Sequence, residues 1–509
     1  MNIVEGFRTK GPARISAFVK DEFILATALT IALIAMPFAV VDWLPMIDLP
    51  HHLSQARLVG KVLSGNQPDM AINWLSPNTL TTWFLAGLTL LPPLTAAKVA
   101  VFGLITLSII GLTLLAKKIG GSPAIIPLSA ALLLNQTFYW GFLPFMAGFA
   151  ALLFLVSAWF SLSRFSWREQ ISLALLFLLV YFSHIFWFAI SILAVVLIAL
   201  DSPQRNIRLR TILFAALPAV GLTLFWYPSM HDNWMNAGYD MAPKWTFPLS
   251  VRLRPDYASY AISGLKSNMN LLLVMTTLLF MIFGAAKTIA GKGRIVSAPL
   301  LGLASILLVV YLSMPDKYNN TILFSVRWLP YALIFCLLGC FAPVQDKRWR
   351  VGTLSLSLMV LGGYALLTAD IWNNIEKEEL SGLQQALDKL PPKQNVIGLN
   401  YILESEFLYT DNPFVTIAVY AHALKDCEVN FSFAEHASSL VTYKANPVRP
   451  YKNNLTYYSE LVSRKDVSYV DYVLVNADDL KHYKVSAFLG ITPITHEGRW
   501  RLYKVGNSL

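Results

Sequence analysis

The residue types best suited to chemistry in this sequence are a carboxylate and two imidazoles that lie close together, Asp48, His51 and His52. An ionised carboxylate beside imidazoles can remove a proton from a hydroxyl group, which is general base catalysis. Pro50 suits the first turn of a helix, and Asp48 stands just before that turn. We therefore expect Asp48 to be the base, kept ionised by the positive end of the helix dipole.

Simpler roles are open to the same three residues. Asp48 can serve only to cap the helix, because acidic residues are common near helix starts. His51 and His52 can be polar residues that contact lipid headgroups rather than a substrate. Neighbouring residues of a helix point about 100° apart, so adjacent histidines make a poor zinc site. We expect no metal ion and no other cofactor.

The helix predicted after Asp48 continues to about Leu63. Leu53, Ala56, Gly60 and Leu63 share one apolar face, and Arg57 and Lys61 lie one turn apart on the other. Such a helix is expected to lie in the interface of a membrane. The two cations are candidates to bind a phosphate group, although anionic lipid headgroups account for them equally well.

Further candidates for binding a substrate follow along the chain. Arg252 and Arg254 alternate in an extended segment, so both can face one groove or form ordinary surface charge. Arg327 lies about five residues inside a predicted span, where a charge is either functional or reaches to the headgroups. Asn135 and His184 are predicted at the ends of span hairpins, where they contact a substrate or satisfy the backbone of a turn.

The composition shows that a membrane must hold these residues in place. Of the 509 residues, 56% are hydrophobic and 14% are charged, whereas soluble proteins carry about 25% charged residues. Apolar runs fill the chain to about Leu367, and charged residues return from Asp370 onward. The net charge of +10 comes from small basic clusters between apolar runs. That distribution orients a membrane protein, and we expect no nucleic-acid binding.

Eleven apolar runs are predicted to span the membrane. They lie at 22–41, 97–116, 122–138, 142–163, 170–184, 185–200, 211–228, 269–286, 297–314, 322–342 and 351–368. A further apolar stretch at 79–91 is too short to cross, because a span needs about 20 residues. We expect that stretch to lie in the interface.

The basic clusters fix the predicted orientation. With the stretch at 79–91 excluded, every basic loop falls on the side of the basic N-terminal segment from Arg8 to Lys20, as the positive-inside rule requires. The N-terminus is then cytoplasmic, and the long outer loops are 42–96 and 229–268. The first span has no cleavage site after it and is expected to be a retained anchor.

Two domains follow from the change in composition near position 370. Residues 1–368 form the membrane domain, and residues 369–509 form an extracytoplasmic α/β domain. In the second domain we predict a helix at 372–390, buried strands at 395–399 and 469–475, and a hairpin at 491–505.

The terminal domain shows no catalytic constellation in its sequence. His422, Cys427 and His436 are scattered, and we interpret them as structural. The domain is expected to select an acceptor or to gate a lipid cavity.

The architecture and the string that begins at Asp48 resemble the GT-C superfamily of glycosyltransferases. The shared features are a retained first span, a long outer loop with an acidic residue near its start, an interfacial helix, many further spans and an outer terminal domain. The string from Asp48 to His52, followed by Ala56 and Arg57, is similar to Asp-x-Pro-x-His segments of bacterial members. The resemblance covers the membrane part by architecture and about ten residues by motif.

This resemblance implies a sugar donor carried on polyprenyl phosphate, as in the protein O-mannosyltransferases and the lipid A aminoarabinose transferases. An Asp in the first outer loop is the proposed base of that superfamily, and Asp48 is the matching position. The implied reaction is an inverting transfer to an extracytoplasmic glycan, lipid or protein at the bacterial cytoplasmic membrane. The turn at 135–140 has no acidic residue, unlike metal-dependent oligosaccharyltransferases, so no divalent metal is expected.

Two other classes of function remain open. A transporter or flippase of lipid-linked saccharides is expected to have charges at the membrane midplane and broken helices. Apart from Arg327, the spans show no central charges. A sensor or scaffold without catalysis would bind through its outer domain and would have no concave cavity around Asp48. In each case membrane lipids are partners.

Overall fold

The computed structural model describes residues 22–162, 166–236, 241–289, 295–319, 321–342, 346–445, 447–452 and 455–506. The basic segment from Arg8 to Lys20, used above for orientation, lies outside the described residues. The helices of the membrane part are α1 (Glu22–Val40), α2 (Leu49–Leu63), α3 (Leu80–Gly87), α4 (Pro93–Ile119), α5 (Ile125–Ala131), α6 (Gln136–Tyr139), α7 (Leu143–Ser161), α8 (Trp167–Ser183), α9 (Ile185–Leu200), α10 (Arg205–Asn236), α11 (Leu249–Arg252), α12 (Pro255–Ser263), α13 (Met269–Ile289), α14 (Ala298–Ser313), α15 (Leu329–Cys340) and α16 (Lys347–Asn374).

Long apolar helices dominate this part, and the chain is a polytopic helical membrane protein. Among the described residues, six helices are long and apolar enough to cross a membrane, and Ile185–Leu200, Ala298–Ser313 and Val326–Cys340 are shorter apolar helices. The eight-residue helix α3 rises only about 12 Å, which is too short to cross. The total of eleven spans stays a prediction.

The predicted third span is wrong as a continuous helix. In place of a helix over 122–138, the chain forms the short helices α5 and α6 with turns between them. The segment nevertheless returns to the level of Asp48, because the Ile47 nitrogen donates to the Tyr139 carbonyl at 2.9 Å. Every other predicted span falls on a helix, with ends that shift by eight residues at most.

Helix α2 begins and ends close to the predicted positions, but its surroundings differ from the prediction. It was expected to lie in the membrane interface, yet its residues from Leu49 to Val59 are almost all buried. The terminal domain covers it: the Gln55 side chain exchanges two hydrogen bonds with the backbone of Val441, at 3.0 and 2.9 Å. Helix α2 is therefore a layer between two protein surfaces.

The terminal domain is a five-stranded mixed sheet with helices, which confirms the predicted α/β class. Its strands stand in the order β3, β2, β5, β7 and β6; β2 pairs in parallel with β3 and β5, and β7 pairs antiparallel with β5 and β6. Valine and leucine fill the central strands, since both faces are covered. The strands are β1 (Met70–Ile72), β2 (Asn395–Asn400), β3 (Glu428–Val429), β4 (Val441–Tyr443), β5 (Tyr472–Asn476), β6 (Thr492–Pro493) and β7 (Trp500–Lys504), and the helices are α17 (Leu383–Lys389), α18 (Tyr420–Lys425), α19 (Arg464–Val467) and α20 (Asp479–Leu489).

The predicted helix at 372–390 is wrong in its continuity. Helix α16 runs on into a π-helical turn, Ile375–Glu379, and α17 starts only after Gly382. Gly382 has a φ of +81°, which glycine adopts without steric strain. The last long helix thus enters the terminal domain directly.

The first outer loop and the terminal domain are joined at several points. Strand β1 of the loop pairs antiparallel with β4 of the terminal domain. The backbone nitrogen of Asp42 donates to a Glu376 carboxylate oxygen at 2.7 Å, and the Thr416 hydroxyl donates to the Ile47 carbonyl. These contacts place the terminal domain on the same side of the helices as Asp48.

Candidate active site

A cavity of about 670 Å³ opens where the helices meet the terminal domain. Its membrane-part lining is Asp48, His52, Asn78, Trp140, Phe142, Pro144, Phe145, His184, Lys317, Thr321, Ile322 and Arg327. We call the rest of the lining the terminal-domain wall, which consists of Phe431, Phe433, His436, Ser438, Ser439, Tyr457 and Tyr458. Four residues predicted from the sequence, Asp48, His52, His184 and Arg327, therefore share one cavity.

The backbone of Asp48 is held against the turn that follows α6. Its nitrogen donates to the Trp140 carbonyl at 3.0 Å. The next residue, Gly141, has a φ of +78°, and a Cβ built there would lie 2.9 Å from the Asp48 nitrogen. Only glycine fits so close to the loop, and the position of Asp48 is fixed by this contact.

The carboxylate of Asp48 has no partner among the described residues. It caps no backbone nitrogen of α2, and it forms no hydrogen bond or ion pair with the described part of the chain, so the interpretation as a helix cap is wrong. Burial raises the pKa of Asp48 to about 8, and the charge of Arg327 opposes that rise. The expectation that the helix dipole keeps Asp48 ionised did not allow for this burial.

Arg327 is held rigidly at the edge of the same cavity. Its Nε donates to the Leu323 carbonyl at 3.0 Å, and its Nη2 donates to the Ile322 carbonyl. The guanidinium carbon lies 4.6 Å from the ring centre of Phe142 and 5.0 Å from that of Phe145. The other N–H groups of the guanidinium remain to bind a ligand.

Arg327 lies less deep in its span than predicted, because the helix begins later in the chain. The helical segment begins with a 3-10 turn at Val326–Trp328, so Arg327 lies in the first turn rather than about five residues inside a span. The side chain is only 4% exposed, so it does not reach out to headgroups. It is a cation enclosed by protein, which suits a phosphate.

His52 and His184 line the cavity with fixed rings. The Nε2 of His52 donates to the Gly141 carbonyl at 3.0 Å, which leaves its Nδ1 as the acceptor. The Nδ1 of His184 accepts from the Phe186 nitrogen at 3.1 Å and caps α9. His184 therefore presents Nε2–H as a donor.

His51 lies behind the cavity instead of inside it. Its ring stacks on Phe433, with centroids 3.9 Å apart and planes 5° apart. Burial lowers the pKa of His51 well below its ordinary value, so the ring is neutral. Neither ring nitrogen has a hydrogen-bond partner in the described structure. His51 supports Phe433 of the terminal-domain wall.

Arg57 and Lys61 bind the terminal domain and do not line the cavity. Lys61 donates to a carboxylate oxygen of Asp426, and Arg57 Nε lies 3.4 Å from the same oxygen. Arg57 also donates to the Ala423 carbonyl at 3.0 Å. Burial raises the pKa of Asp426, but Lys61 and Arg57 outweigh it and hold the pKa below its usual value. The structure thus gives both cations a protein partner.

The two arginines predicted to share a groove have separate environments. Arg252 is buried; its Nη2 pairs with Asp316 at 3.0 Å, and it donates to the carbonyls of Phe247 and Tyr311, both at 2.9 Å. Arg254 is exposed and pairs with Asp256 on the surface. Neither arginine lies in the lining of the cavity.

Asn135 is a structural cap. Its side chain accepts from the Thr137 nitrogen at 2.8 Å and donates to the Leu132 carbonyl at 2.8 Å. It thereby holds the turn between α5 and α6 and contributes nothing to the lining.

Sequence reasoning missed Lys317 and the whole terminal-domain wall. Lys317 follows Asp316, which Arg252 anchors, and the Lys317 backbone carbonyl accepts from the Lys244 nitrogen at 2.9 Å. The Lys317 amine has no partner among the described residues. His436, interpreted as structural, lines the cavity. The only signal for Lys317 was its place in a short loop between spans. The wall residues are far from Asp48 in sequence, and no motif marks them.

Metal binding has no support from the side chains that the structure describes. Among them, no group of three or more His, Cys, Asp or Glu is arranged to hold a metal ion. The cavity chemistry visible here consists of one carboxylate, two cations, histidines, hydroxyl groups and aromatic rings.

The fold is shared with a solved membrane protein. No protein-family model matches this sequence, and no curated protein matches it in sequence. The crystal structure of ArnT from Cupriavidus metallidurans, bound to undecaprenyl phosphate, superposes with a TM-score of 0.52 at 10% identity, over 97% of this chain and 98% of ArnT. The chain has the GT-C fold.

A second GT-C structure is similar over a smaller share of its length. The cryo-EM structure of the arabinofuranosyltransferase AftD from Mycobacteria aligns at a TM-score of 0.49 and 12% identity. The alignment covers 96% of this chain and 40% of AftD. The likeness to ArnT, and not this weaker one, confirms the GT-C resemblance at the level of the fold, and with it the fold class of many helices followed by a small α/β domain.

Proposed function

We propose that this GT-C protein transfers a sugar from a polyprenyl-phosphate-linked donor to a hydroxyl group on an extracytoplasmic glycan, lipid or protein. The observation that carries the proposal is the cavity in which an unpartnered carboxylate, Asp48, faces the cations Arg327 and Lys317. A polyprenyl phosphate is bound by the similar ArnT structure. A cavity around Asp48 also speaks against a scaffold without catalysis.

The cations suit a phosphate leaving group. When the bond between the anomeric carbon and the phosphate oxygen breaks, negative charge grows on the phosphate, and fixed cations stabilise that charge. Arg327 is already oriented by two carbonyl groups and two aromatic rings. Such a group needs little reorganisation during the reaction, which favours catalysis.

Asp48 suits the role of general base. The acceptor hydroxyl gives its proton to Asp48 while its oxygen attacks the anomeric carbon from the face opposite the phosphate, so the configuration inverts. A base with a pKa of about 8 lies close to the operating pH, where general base catalysis is most efficient. One carboxylate is enough, since the phosphate leaves without protonation.

Transport of a lipid-linked saccharide receives less support. The interruption between α5 and α6 resembles the broken helices of transporters. However, the segment at 125–139 contains no charged residue, and its buried Asn135 only caps a turn. We place the protein in the bacterial cytoplasmic membrane, with a cytoplasmic N-terminus and the cavity outside.

Replacing Asp48 by Asn tests the proposal. In a strain that lacks the native copy, Asp48→Asn should reduce glycan transfer by about a hundredfold or more, because a general base contributes that much. Asp42→Asn is the matched control, since Asp42 lies in the same loop but is exposed and pairs with Lys98 at 3.1 Å. Transfer at the wild-type rate by the Asp48 variant would remove Asp48 from the mechanism.

Binding of undecaprenyl phosphate tests the donor side separately. Arg327→Ala should weaken it by about tenfold or more, since hydrogen bonds to a charged group are worth about 1.5–3 kcal/mol. Asp48→Asn should leave this affinity unchanged or improve it, because a negative charge is removed from the cavity. Unchanged binding in Arg327→Ala would contradict the assignment of the phosphate site.

A further inference from the structure

The two sides of the cavity differ in chemistry. The membrane side carries the cations Arg327 and Lys317. Within the described lining, the terminal-domain wall contains only aromatic rings, hydroxyl groups and one histidine, and none of its residues is Lys, Arg, Asp or Glu. Burial lowers the pKa of His436, so this histidine is neutral near pH 7. One side is therefore built for an anion, and the other for a neutral ligand.

Asp48 lines the same cavity as the residues of both sides. Its charge acts on Arg327 of the membrane side and on Tyr457 of the wall. A ligand held against the wall thus shares the cavity with Asp48, as does a phosphate bound by Arg327. The arrangement fits two substrates that meet at one base.

The part of the wall around Phe433 is held in place by several contacts. The Phe433–Glu435 turn is capped by Ser432, and Glu435 pairs with Arg449 at 2.7 Å. His51 supports the ring of Phe433 from behind. A ligand therefore meets a preformed surface, which lowers the entropy lost on binding.

Two tyrosines of the wall keep much of their surface exposed. Tyr457 is 42% exposed and Tyr458 is 62% exposed. The Tyr457 ring meets the Phe431 ring edge to face, with centroids 5.9 Å apart. Exposed aromatic rings that line a concave site are available to a ligand with an apolar face, and their polar hydroxyl ends can hydrogen-bond at the same time.

We propose that the terminal-domain wall is the acceptor subsite and that it takes a neutral saccharide. The C–H face of a sugar ring stacks on Tyr457 or Tyr458, and sugar hydroxyls hydrogen-bond with Ser438 and Ser439. An acceptor headgroup that carries phosphate would find no cation on this wall, and a basic peptide would find no acidic residue on it. The inference rests on the proposed function and names its acceptor class.

Saccharide binding by the full-length protein in lipid nanodiscs tests this proposal. The probes are an array of neutral oligosaccharides, the same sugars with phosphate groups, and a lysine-rich peptide. We expect neutral oligosaccharides to bind, and the tightest of them to lose about tenfold in affinity in Tyr457→Ala and Tyr458→Ala. Binding of undecaprenyl phosphate should be the same in these variants as in the wild type.

Matched variants separate lost contacts from lost folding. Tyr483→Ala removes a tyrosine that is 74% exposed on α20, outside the wall, and should not change saccharide affinity. Tyr458→Phe keeps the ring and should retain affinity within about threefold. Melting temperatures of all variants should match the wild type within about 2 °C.

Several outcomes would overturn the acceptor assignment. The protein could prefer phosphorylated sugars or the peptide, or it could bind no saccharide. Saccharide affinity could also be the same in the two alanine variants as in the wild type. Failure of the proposed function looks different. In that case Asp48→Asn keeps transfer and Arg327→Ala keeps lipid binding, while the tyrosine variants still weaken the binding of a neutral saccharide.

Discussion

Gly141 and Asp48 touch so closely that a Cβ on the glycine would lie 2.9 Å from the Asp48 nitrogen. Gly141→Ala must therefore push Asp48 away, and its φ of +78° adds strain. Because a displacement of about 1 Å at a catalytic group can reduce the rate about a hundredfold, we expect a loss of that order in kcat. Transfer kinetics of the purified variant check it.

A glycine with free space around it provides the control. Gly103 lies in α4 with nothing within 4 Å of a built Cβ, and alanine is the better helix former there. Gly103→Ala should keep full activity and an equal or higher melting temperature. Normal activity in Gly141→Ala would show that the base tolerates displacement or lies elsewhere.

The rate of transfer should rise with pH around the pKa of Asp48. The base must be ionised, and burial raises its pKa to about 8, so the ascending limb of kcat/KM should have its midpoint near pH 8. Arg327 lowers that pKa, and Arg327→Gln should move the midpoint to higher pH. Arg254→Gln, at an exposed site, should not move it. A flat profile from pH 6 to 9 would contradict this prediction.

Asp48 should also destabilise the folded protein at neutral pH. Its folded pKa is about 8 against an ordinary value of 3.8, so ionisation favours the unfolded chain over that range. Asp48→Asn should raise the melting temperature by about 2 °C or more at pH 8. The gain should shrink as pH falls and vanish below about pH 4. Thermal unfolding in detergent across this pH range measures it, and a constant difference would argue against the raised pKa.

Substitution by methionine should be costly at Arg252 and harmless at Arg254. Arg252→Met leaves the buried Asp316 without its ion pair, which costs about 3 kcal/mol or more. It also releases the segment that carries Lys317, so the KM for the donor should rise. Arg254→Met removes only an exposed pair and should leave melting and kinetics unchanged. Equal effects of both variants would show that Arg252 is not an anchor.

Lys61 should support the docking of the terminal domain and not the donor phosphate. Lys61→Met breaks its contact with Asp426 and should lower stability by about 1 kcal/mol near pH 7. Since Lys61 and Arg57 depress the pKa of Asp426, the effect should fade as pH falls through that lowered pKa. The affinity for undecaprenyl phosphate should stay the same. A lower affinity of Lys61→Met for undecaprenyl phosphate would indicate that Lys61 binds the donor phosphate after all.

Local sequence patterns were sufficient for many elements of the fold. The start of α2 followed from Pro50 after Asp48, and strands β2 and β5 followed from buried runs at 395–399 and 469–475, although their parallel pairing was not predicted. These features depend on neighbouring residues and on the spacing of apolar residues, both of which can be read from a single sequence. The prediction of a continuous span at 122–138 was wrong because the apolar composition of that segment fits both a span and short helices separated by turns.

The assembly of the site was visible only in part. Asp48, His52, His184 and Arg327 were found because polar residues next to apolar runs stand out. Arg57, Lys61 and Arg252 stand out in the same way, yet each has a protein partner, Asp426 or Asp316, far away in sequence. Residue type alone cannot separate a cation that is paired from one that is available to a ligand.

By itself the sequence determined that the chain is a membrane protein and which segments form its long apolar helices. It also determined that a helix of the first loop begins at Asp48. Hydropathy and local helix signals decide these features because they act over a few turns of chain. Only the tertiary structure decided that the terminal domain covers Asp48 and supplies Tyr457 and Tyr458 to the cavity. Such contacts join residues about 400 positions apart, and packing of the whole chain, rather than any local pattern, brings them together.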